Sequence, residues 1–312
     1  MRLEGIVPII PTPFDLEGGI DFAQLRGLID FATAAGAAAA CLPAYASEFY
    51  KLSEEERIAV VATAVEQSAG RLPVLGQVNY YGSRQAATVA ARLEGCGVAG
   101  VSTAVPRLFA LAEDDLFDHF SAILDKISVP LVIQDFNPGG PSVSVAFIAR
   151  LHRAYPHFRY VKLEEPRMAD KVKAIHDATG GGVGVIEGWG GMYILELLDA
   201  GVTAVMPGLA LTDLLARVYV LAREGRKVEA YRIFETVLPQ IVYSLQNMEL
   251  FHYAEKRLLV ARGVLDNSRV RSVGLKPGAG EQAHIDFLNQ RIVETLETLG
   301  LPLNPARSTR QA

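Results

Sequence analysis

The segment Tyr160-Val161-Lys162-Leu163-Glu164-Glu165-Pro166 sets one lysine in an otherwise apolar strand pattern. Burying a lysine strips its ammonium of water and favours the neutral amine. A neutral amine at a strand end is a nucleophile that condenses with a ketone to a Schiff base. The iminium so formed draws electrons from the neighbouring carbon and acidifies its proton, so a proton-transfer group must stand nearby. Glu164 follows Lys162 by two and shares its face if the strand continues; it is a candidate for that group or for a charge partner. The plainer alternative is a pair of solvated strand-end charges, since most lysines and glutamates lie in water.

Lys162 needs a scaffold that gathers strand ends. Short apolar runs at Gly5–Pro11, Ala38–Pro43, Pro73–Asn79, Gly100–Val105, Pro130–Phe136, Arg159–Leu163, Gly184–Gly188 and Ala204–Pro207 read as strands. Their lack of alternation fits parallel strands buried on both faces. Helical patterns follow in turn at 21–35, 53–69, 83–94, 113–127, 144–155, 168–178 and 192–200. Ser53 with Glu56 forms a capping-box signature, and Gly36, Gly97 and Gly201 close helices. Eight such βα units read as an α/β fold, a (β/α)8 TIM barrel, with a C-terminal helical extension. The expected division is a barrel over 1–223, a helical region over 224–301 and a disordered tail over 302–312. No glycine-rich phosphate turn follows the first strand, which argues against a doubly wound sheet.

Barrel chemistry sits at the carboxyl ends of the strands. There the sequence places Thr12 (strand one), Ala46-Ser47-Glu48 (two), Asn79-Tyr80-Tyr81 (three), Arg107 (four), Gln134-Asp135-Phe136 and then 137–140 (five), Lys162 and Glu164 (six), Glu187-Gly188-Trp189 (seven) and Met206-Pro207-Gly208 (eight). Polar groups converging on one end of an apolar barrel form the pattern of a small-molecule site. The composition fits: 50% of the 312 residues are hydrophobic, and a net charge of -5 without a basic stretch argues against nucleic acid as partner. No run approaches the length of a membrane span and no signal peptide is evident, so a cytoplasmic protein without membrane contact is expected. Cys41 and Cys96 read as buried thiols, and the six histidines show no metal spacing, so no metal and no cofactor are expected.

On these motifs the chain resembles the dihydrodipicolinate synthase/N-acetylneuraminate lyase family. The resemblance rests on Gly5 with Pro11-Thr12-Pro13-Phe14, on Ser47-Glu48-Phe49-Tyr50-Lys51-Leu52-Ser53-Glu54-Glu55-Glu56-Arg57, on Val129-Pro130-Leu131-Val132-Ile133 and on Lys162. It implies a TIM barrel, a homotetramer, and a Schiff base between Lys162 and a 2-keto acid. Two departures stand out. The family's Gly-Thr-Thr-Gly-Glu loop is Ala44-Tyr45-Ala46-Ser47-Glu48 here, and its fifth-strand tyrosine is Gln134. The fourth-strand tyrosine is also absent, so a dihydrodipicolinate synthase is not expected. The 2-keto-3-deoxy-L-arabonate dehydratase branch is similar in Ser47-Glu48, Ile133-Gln134-Asp135, Glu164-Glu165-Pro166 and Ile186-Glu187-Gly188.

The expected chemistry is dehydration of a 2-keto-3-deoxy sugar acid through a Lys162 iminium and enamine, with Gln134 and Glu164 beside it. Ser47, with Ala46 and turn N–H groups, is a candidate for the substrate carboxylate; a turn cap is the equally weighted alternative for Ser47. Thr12, Asp135, Glu187 and Gly188 are further binding candidates, with Asp135 as a loop anchor and Glu48 in a structural role. Trp189 reads as packing. Two alternatives remain: an aldolase that releases pyruvate, and a catalytically silent keto-acid binder.

Overall fold

The computed structural model describes residues 2–136 and 142–308. The expected strand-five end over 137–140 and the tail residues 309–312 lie outside them.

Eight parallel strands are present: β1 (Gly5–Ile6), β2 (Ala40–Leu42), β3 (Val74–Val78), β4 (Gly100–Ala104), β5 (Leu131–Phe136), β6 (Phe158–Glu164), β7 (Gly184–Glu187) and β8 (Ala204–Val205). They pair in the order β1-β8-β7-β6-β5-β4-β3-β2. The two ends of that sheet meet through an Ile9–Cys41 bridge, with Ile10 N donating to Cys41 O at 3.0 Å and Cys41 N to Pro8 O at 3.0 Å, so the sheet curls into a barrel. β1 and β8 are shorter than the sequence suggested. Pro8 and Pro207 carry no N–H and cannot donate to a ladder, although Pro207 O still accepts from Ile9 N at 2.8 Å.

Strand periodicity sorts the side chains. Leu75, Val132, Tyr160 and Ile186 fill the barrel interior with Ile9, Cys41 and Met206. Their neighbours Val74, Leu131, Val161 and Val185 face outward into the layer beneath the helices. Two residues on from the inner apolar layer, the same faces carry Gln77, Gln134, Lys162 and Gly188. This is how an apolar plug comes to be topped by a polar rim.

The helices are α1 (Phe22–Ala34), α2 (Glu54–Ser68), α3 (Ser83–Gly95), α4 (Glu113–Leu124), α5 (Val145–Ala154), α6 (Ala169–Thr179), α7 (Ile194–Ala200), α8 (Thr212–Arg223), α9 (Lys227–Ser244), α10 (Met248–Ala261), α11 (Ala279–Thr298) and α12 (Pro305–Ser308). Ser53 and Glu56 form the expected capping box at α2, at 3.2 and 2.9 Å. Gly201 ends α7 at φ 101°, a left-handed conformation that glycine adopts without Cβ strain. Residues 302–308 make contacts with the rest of the chain. Leu303 packs on the core, Arg262 Nε donates to Leu303 O at 2.8 Å, and Asn304 Nδ2 donates to Gly263 O at 3.0 Å. These contacts satisfy both backbone and apolar groups, and the polar composition of the segment gave no sign of them.

Candidate active site

Lys162 and Glu164 stand two apart on β6 and both turn into the barrel mouth, where each is 4% exposed. Lys162 Nζ lies 2.9 Å from Glu164 Oε1. Gln134, the register partner of Lys162 on β5, donates Nε2 to both Glu164 oxygens at 3.1 Å. Lys162 is thus not isolated: Glu164 stands beside it as the charge partner that was one of its two expected roles. Gly188 makes room for the pair: a Cβ there would strike Glu164 Cγ and Lys162 Cε.

The cavity above them holds about 50 Å³ of open space and is lined by Ala44, Tyr45, Ala46, Gln134, Phe136, Lys162, Glu164 and Gly188 from the barrel and by Leu245, Met248 and Phe251 from the C-terminal helices. A wider chamber of about 660 Å³ adjoins it across Tyr45, Phe136 and Met248, and Arg57, Asn79 and Gln85 add polar groups to its wall. Tyr45 takes the place of a missing threonine. Burial is the main reason its phenol is pushed up to about 12, so it stays protonated and can donate. Its ring packs edge-on to Phe49 at 5.0 Å and against Phe136 at 5.3 Å.

The remaining candidates divide into wall and scaffold. Ala46 is in the wall. Its N–H and that of Tyr45 open a short 3-10 turn (Tyr45–Ser47) and find no acceptor among the described residues. Ser47 is not in the wall. Its hydroxyl donates to Ile10 O at 2.6 Å and accepts from Ala44 N at 3.0 Å, while Thr12 Oγ1 donates to Ser47 O at 2.7 Å. Ser47 and Thr12 therefore brace the loop instead of facing the cavity. The sequence could not show that Ser47 would turn to Ile10 O, or Thr12 to Ser47 O. Asp135 holds the Arg107 guanidinium and accepts from Val143 N at 2.7 Å, which ties residue 143 to the end of β5. Glu187 accepts from Trp189 N at 3.1 Å and Gly191 N at 2.8 Å; its burial pushes the carboxyl up to about 7 against those bonds. It ties the loop after β7, on which Trp189 packs against Phe136.

Glu48 is completely buried and receives Lys256 Nζ at 2.5 Å, Lys51 Nζ at 3.1 Å and Arg271 N at 3.1 Å. It welds the β2 loop to α10 and the segment after it. Residues that sequence reasoning passed over are Tyr45, Gln77 and the three helix residues Leu245, Met248 and Phe251. Tyr45 was signalled by its place in the altered loop, whereas nothing local says which face of an extension helix will dock. Among the described residues, no group of three His, Cys, Asp or Glu side chains is placed to hold a metal. No helix there is long and apolar enough to cross a membrane.

Comparison with known proteins agrees with this geometry. The L-2-keto-3-deoxyarabonate dehydratase of Azospirillum brasilense is 30% identical over 274 residues, 86% of this chain and 88% of that one. The 4-hydroxy-tetrahydrodipicolinate synthase of Methylacidiphilum fumariolicum SolV superposes with a TM-score of 0.88 at 21% identity, over 96% of this chain and 99% of that one. Ruminococcus gnavus sialic acid aldolase does so at 0.87 and 19%, with the same coverage. Residues 2–272 match the dihydrodipicolinate synthetase family as a whole. With its barrel, its extension helices and a lysine on the sixth strand, the chain is a lyase that belongs to the dihydrodipicolinate synthetase family.

Proposed function

We propose that the protein is a Schiff-base hydro-lyase that dehydrates a 2-keto-3-deoxy sugar acid. The observation that carries this reading is the buried Lys162–Glu164 pair at 2.9 Å, with Gln134 on both carboxylate oxygens. An amine and a base side by side at the mouth of a barrel are what an imine-forming elimination needs. The dehydratase relative at 30% identity supports the substrate class.

Glu164 takes a proton from Lys162, and the free amine attacks the C2 ketone. Loss of that oxygen as water leaves the iminium. Glu164, freed of its proton, removes hydrogen from C3, and the electron pair moves into the C2–N system as an enamine. Its return expels the C4 hydroxyl, which leaves as water with the proton that Glu164 gives back. Hydrolysis of the resulting unsaturated iminium releases product and restores Lys162. With the Ser47 hydroxyl occupied, the substrate carboxylate takes the N–H groups of Tyr45 and Ala46. The keto-acid head fills the inner cavity, and the hydroxylated tail runs toward Asn79 and Gln85 in the outer chamber. The enzyme acts in the cytoplasm as a homotetramer, for which exposed Tyr81, Leu108 and Phe109 offer apolar surface to cover.

Borohydride trapping with pyruvate and with 2-keto-3-deoxy sugar acids, read by intact mass and peptide mapping, tests the reading. A reduced adduct on Lys162 together with a pyruvate-free dehydrated product is expected. Pyruvate release would make the protein an aldolase, and the absence of any adduct on folded protein would leave a keto-acid binder.

A further inference from the structure

Behind the site, a row of side-chain amides runs across the barrel mouth, and the direction of its hydrogen bonds can be fixed. Ala104 N lies 3.0 Å from Asn79 Oδ1. A backbone N–H only donates, so the Asn79 atom facing it is the oxygen. Gln77 Nε2 donates to that same oxygen at 3.2 Å and to Gln134 Oε1 at 2.8 Å, which uses both of its hydrogens. Gln134 must then turn its NH2 group away from Gln77, and it reaches both Glu164 oxygens at 3.1 Å. On the other side of Gln77, the Cys41 thiol donates to its Oε1 at 3.5 Å, in the same sense. One Gln77 hydrogen goes back to Asn79; from Cys41 through Gln77 and Gln134 the other donors point toward Glu164. Reversing Gln134 would set NH2 against NH2 at the Gln77 end and carbonyl against carboxylate at the Glu164 end, two repulsive contacts in a buried setting. The arrangement leaves Asn79 Nδ2 buried and without a hydrogen-bond partner, so satisfying the row is placed ahead of satisfying Asn79.

We propose that Gln77 and Asn79 are positioning residues that act through Gln134 to hold Glu164 as a hydrogen-bond acceptor, and so as the base of the elimination. Neither needs to touch substrate for this. Glu164 receives hydrogens from Gln134 and from Lys162. Both Glu164 oxygens therefore face donors. This inference rests on the proposed function for the word base. The donor direction itself does not depend on that reading.

Neutron diffraction on perdeuterated protein tests the direction without any substrate. Deuterium on the Gln134 nitrogen facing Glu164, and on the Gln77 nitrogen between Asn79 and Gln134, is the expected map; either amide reversed overturns the proposal. Gln77→Met, which keeps volume and removes both donors, tests the consequence. The acid limb of its kcat/KM profile is expected to move up by about one pH unit, with a fall of about tenfold at pH values on that limb, while borohydride still traps Lys162. An unmoved limb in a folded Gln77→Met protein would show that Gln77 only fills space. Asn79→Ala, expected to move the limb in the same direction by less, serves if Gln77→Met does not fold, and an unmoved limb there overturns the proposal equally. If wild-type Lys162 is not trapped by any 2-keto acid, the catalytic reading fails while the neutron map still decides the donor direction.

Discussion

Two buried lysine–glutamate pairs sit within this protein and do opposite jobs. Lys256 lies 2.5 Å from Glu48, and Lys162 lies 2.9 Å from Glu164. Lys256 also donates to Arg269 O at 2.9 Å and sits over the Phe14 ring at 4.5 Å, while Glu48 takes Lys51 and the Arg271 N–H besides. Burial holds the Lys256 ammonium below its ordinary pKa, and Glu48 works against that. The pair is closed on every side. Lys162, by contrast, has one carboxylate partner among the described residues and opens on a cavity. The difference lies in how many partners surround the charges. A saturated pair is a weld, and an unsaturated pair facing a cavity is available for reaction.

The sharpest way to break that contrast is to truncate each lysine. Lys162→Met is expected to cut turnover of the keto-acid substrate by about three orders of magnitude or more, with a smaller fall in melting temperature than at Lys256, because Glu164 borders a cavity and keeps the Gln134 N–H groups. Lys256→Met is expected to destabilise the fold by about 3–5 kcal/mol, because it strands Glu48 without its nearest cation. Kinetics and thermal melts on both variants check this, and equal melting temperatures for the two would erase the distinction.

A smaller effect is expected at Gly188. Its absent Cβ leaves the space that Lys162 and Glu164 occupy. Gly188→Ala should displace both and lower kcat/KM by about a hundredfold, with trapping of Lys162 slowed. Unchanged steady-state kinetics would show that the pair has room to shift.

A further effect, on stability alone, concerns two carboxylates that stand outside both pairs. Burial pushes Glu187 and Glu255 each up to about 7. A carboxyl raised above its unfolded value of 4.5 binds its proton more tightly when folded. Stability therefore falls as pH rises from about 4.5 to about 7, by at most about 3 kcal/mol for each group. Denaturant titrations from pH 5 to 8 should show the decline, and Glu187→Gln should flatten part of it. The same slope in the variant would exclude Glu187 as a source.

The contrast between the pairs was only half legible in the sequence. Lys162, Gln134 and Glu164 could be placed together because strand period and strand order are local signals, and parallel pairing then fixes which residues are neighbours. Lys256 was unremarkable in a helix pattern, because its partner lies 208 positions earlier in the chain. Ser47 was legible as a polar residue at the right strand end. Its hydroxyl turns to Ile10 O, 37 positions away, which local pattern does not encode. Gln77, inside an apolar strand, drew no attention, although a buried amide there requires partners. Strand limits at Pro8 and Pro207 were readable in principle from the missing N–H and were overrun by the apolar pattern. The contacts of 302–308 depend on Arg262, whose guanidinium is buried against Asp213 and Leu303 O.

The helix α10 has a consequence in the order of synthesis. It supplies Met248 and Phe251 to the cavity wall, Glu255 to the N–H of Ala210 at 2.7 Å, and Lys256 to Glu48. Arg271 follows it and clasps Glu56 at 2.7 Å. Chains fold from the N-terminus as they leave the ribosome. All eight strands of the barrel are made by residue 205, yet its second-strand loop still waits for a cation made 208 residues after its glutamate. A ribosome that has completed the barrel has not yet completed the pocket. A chain stopped near residue 223 carries the reactive lysine without the wall and the weld that shape its surroundings.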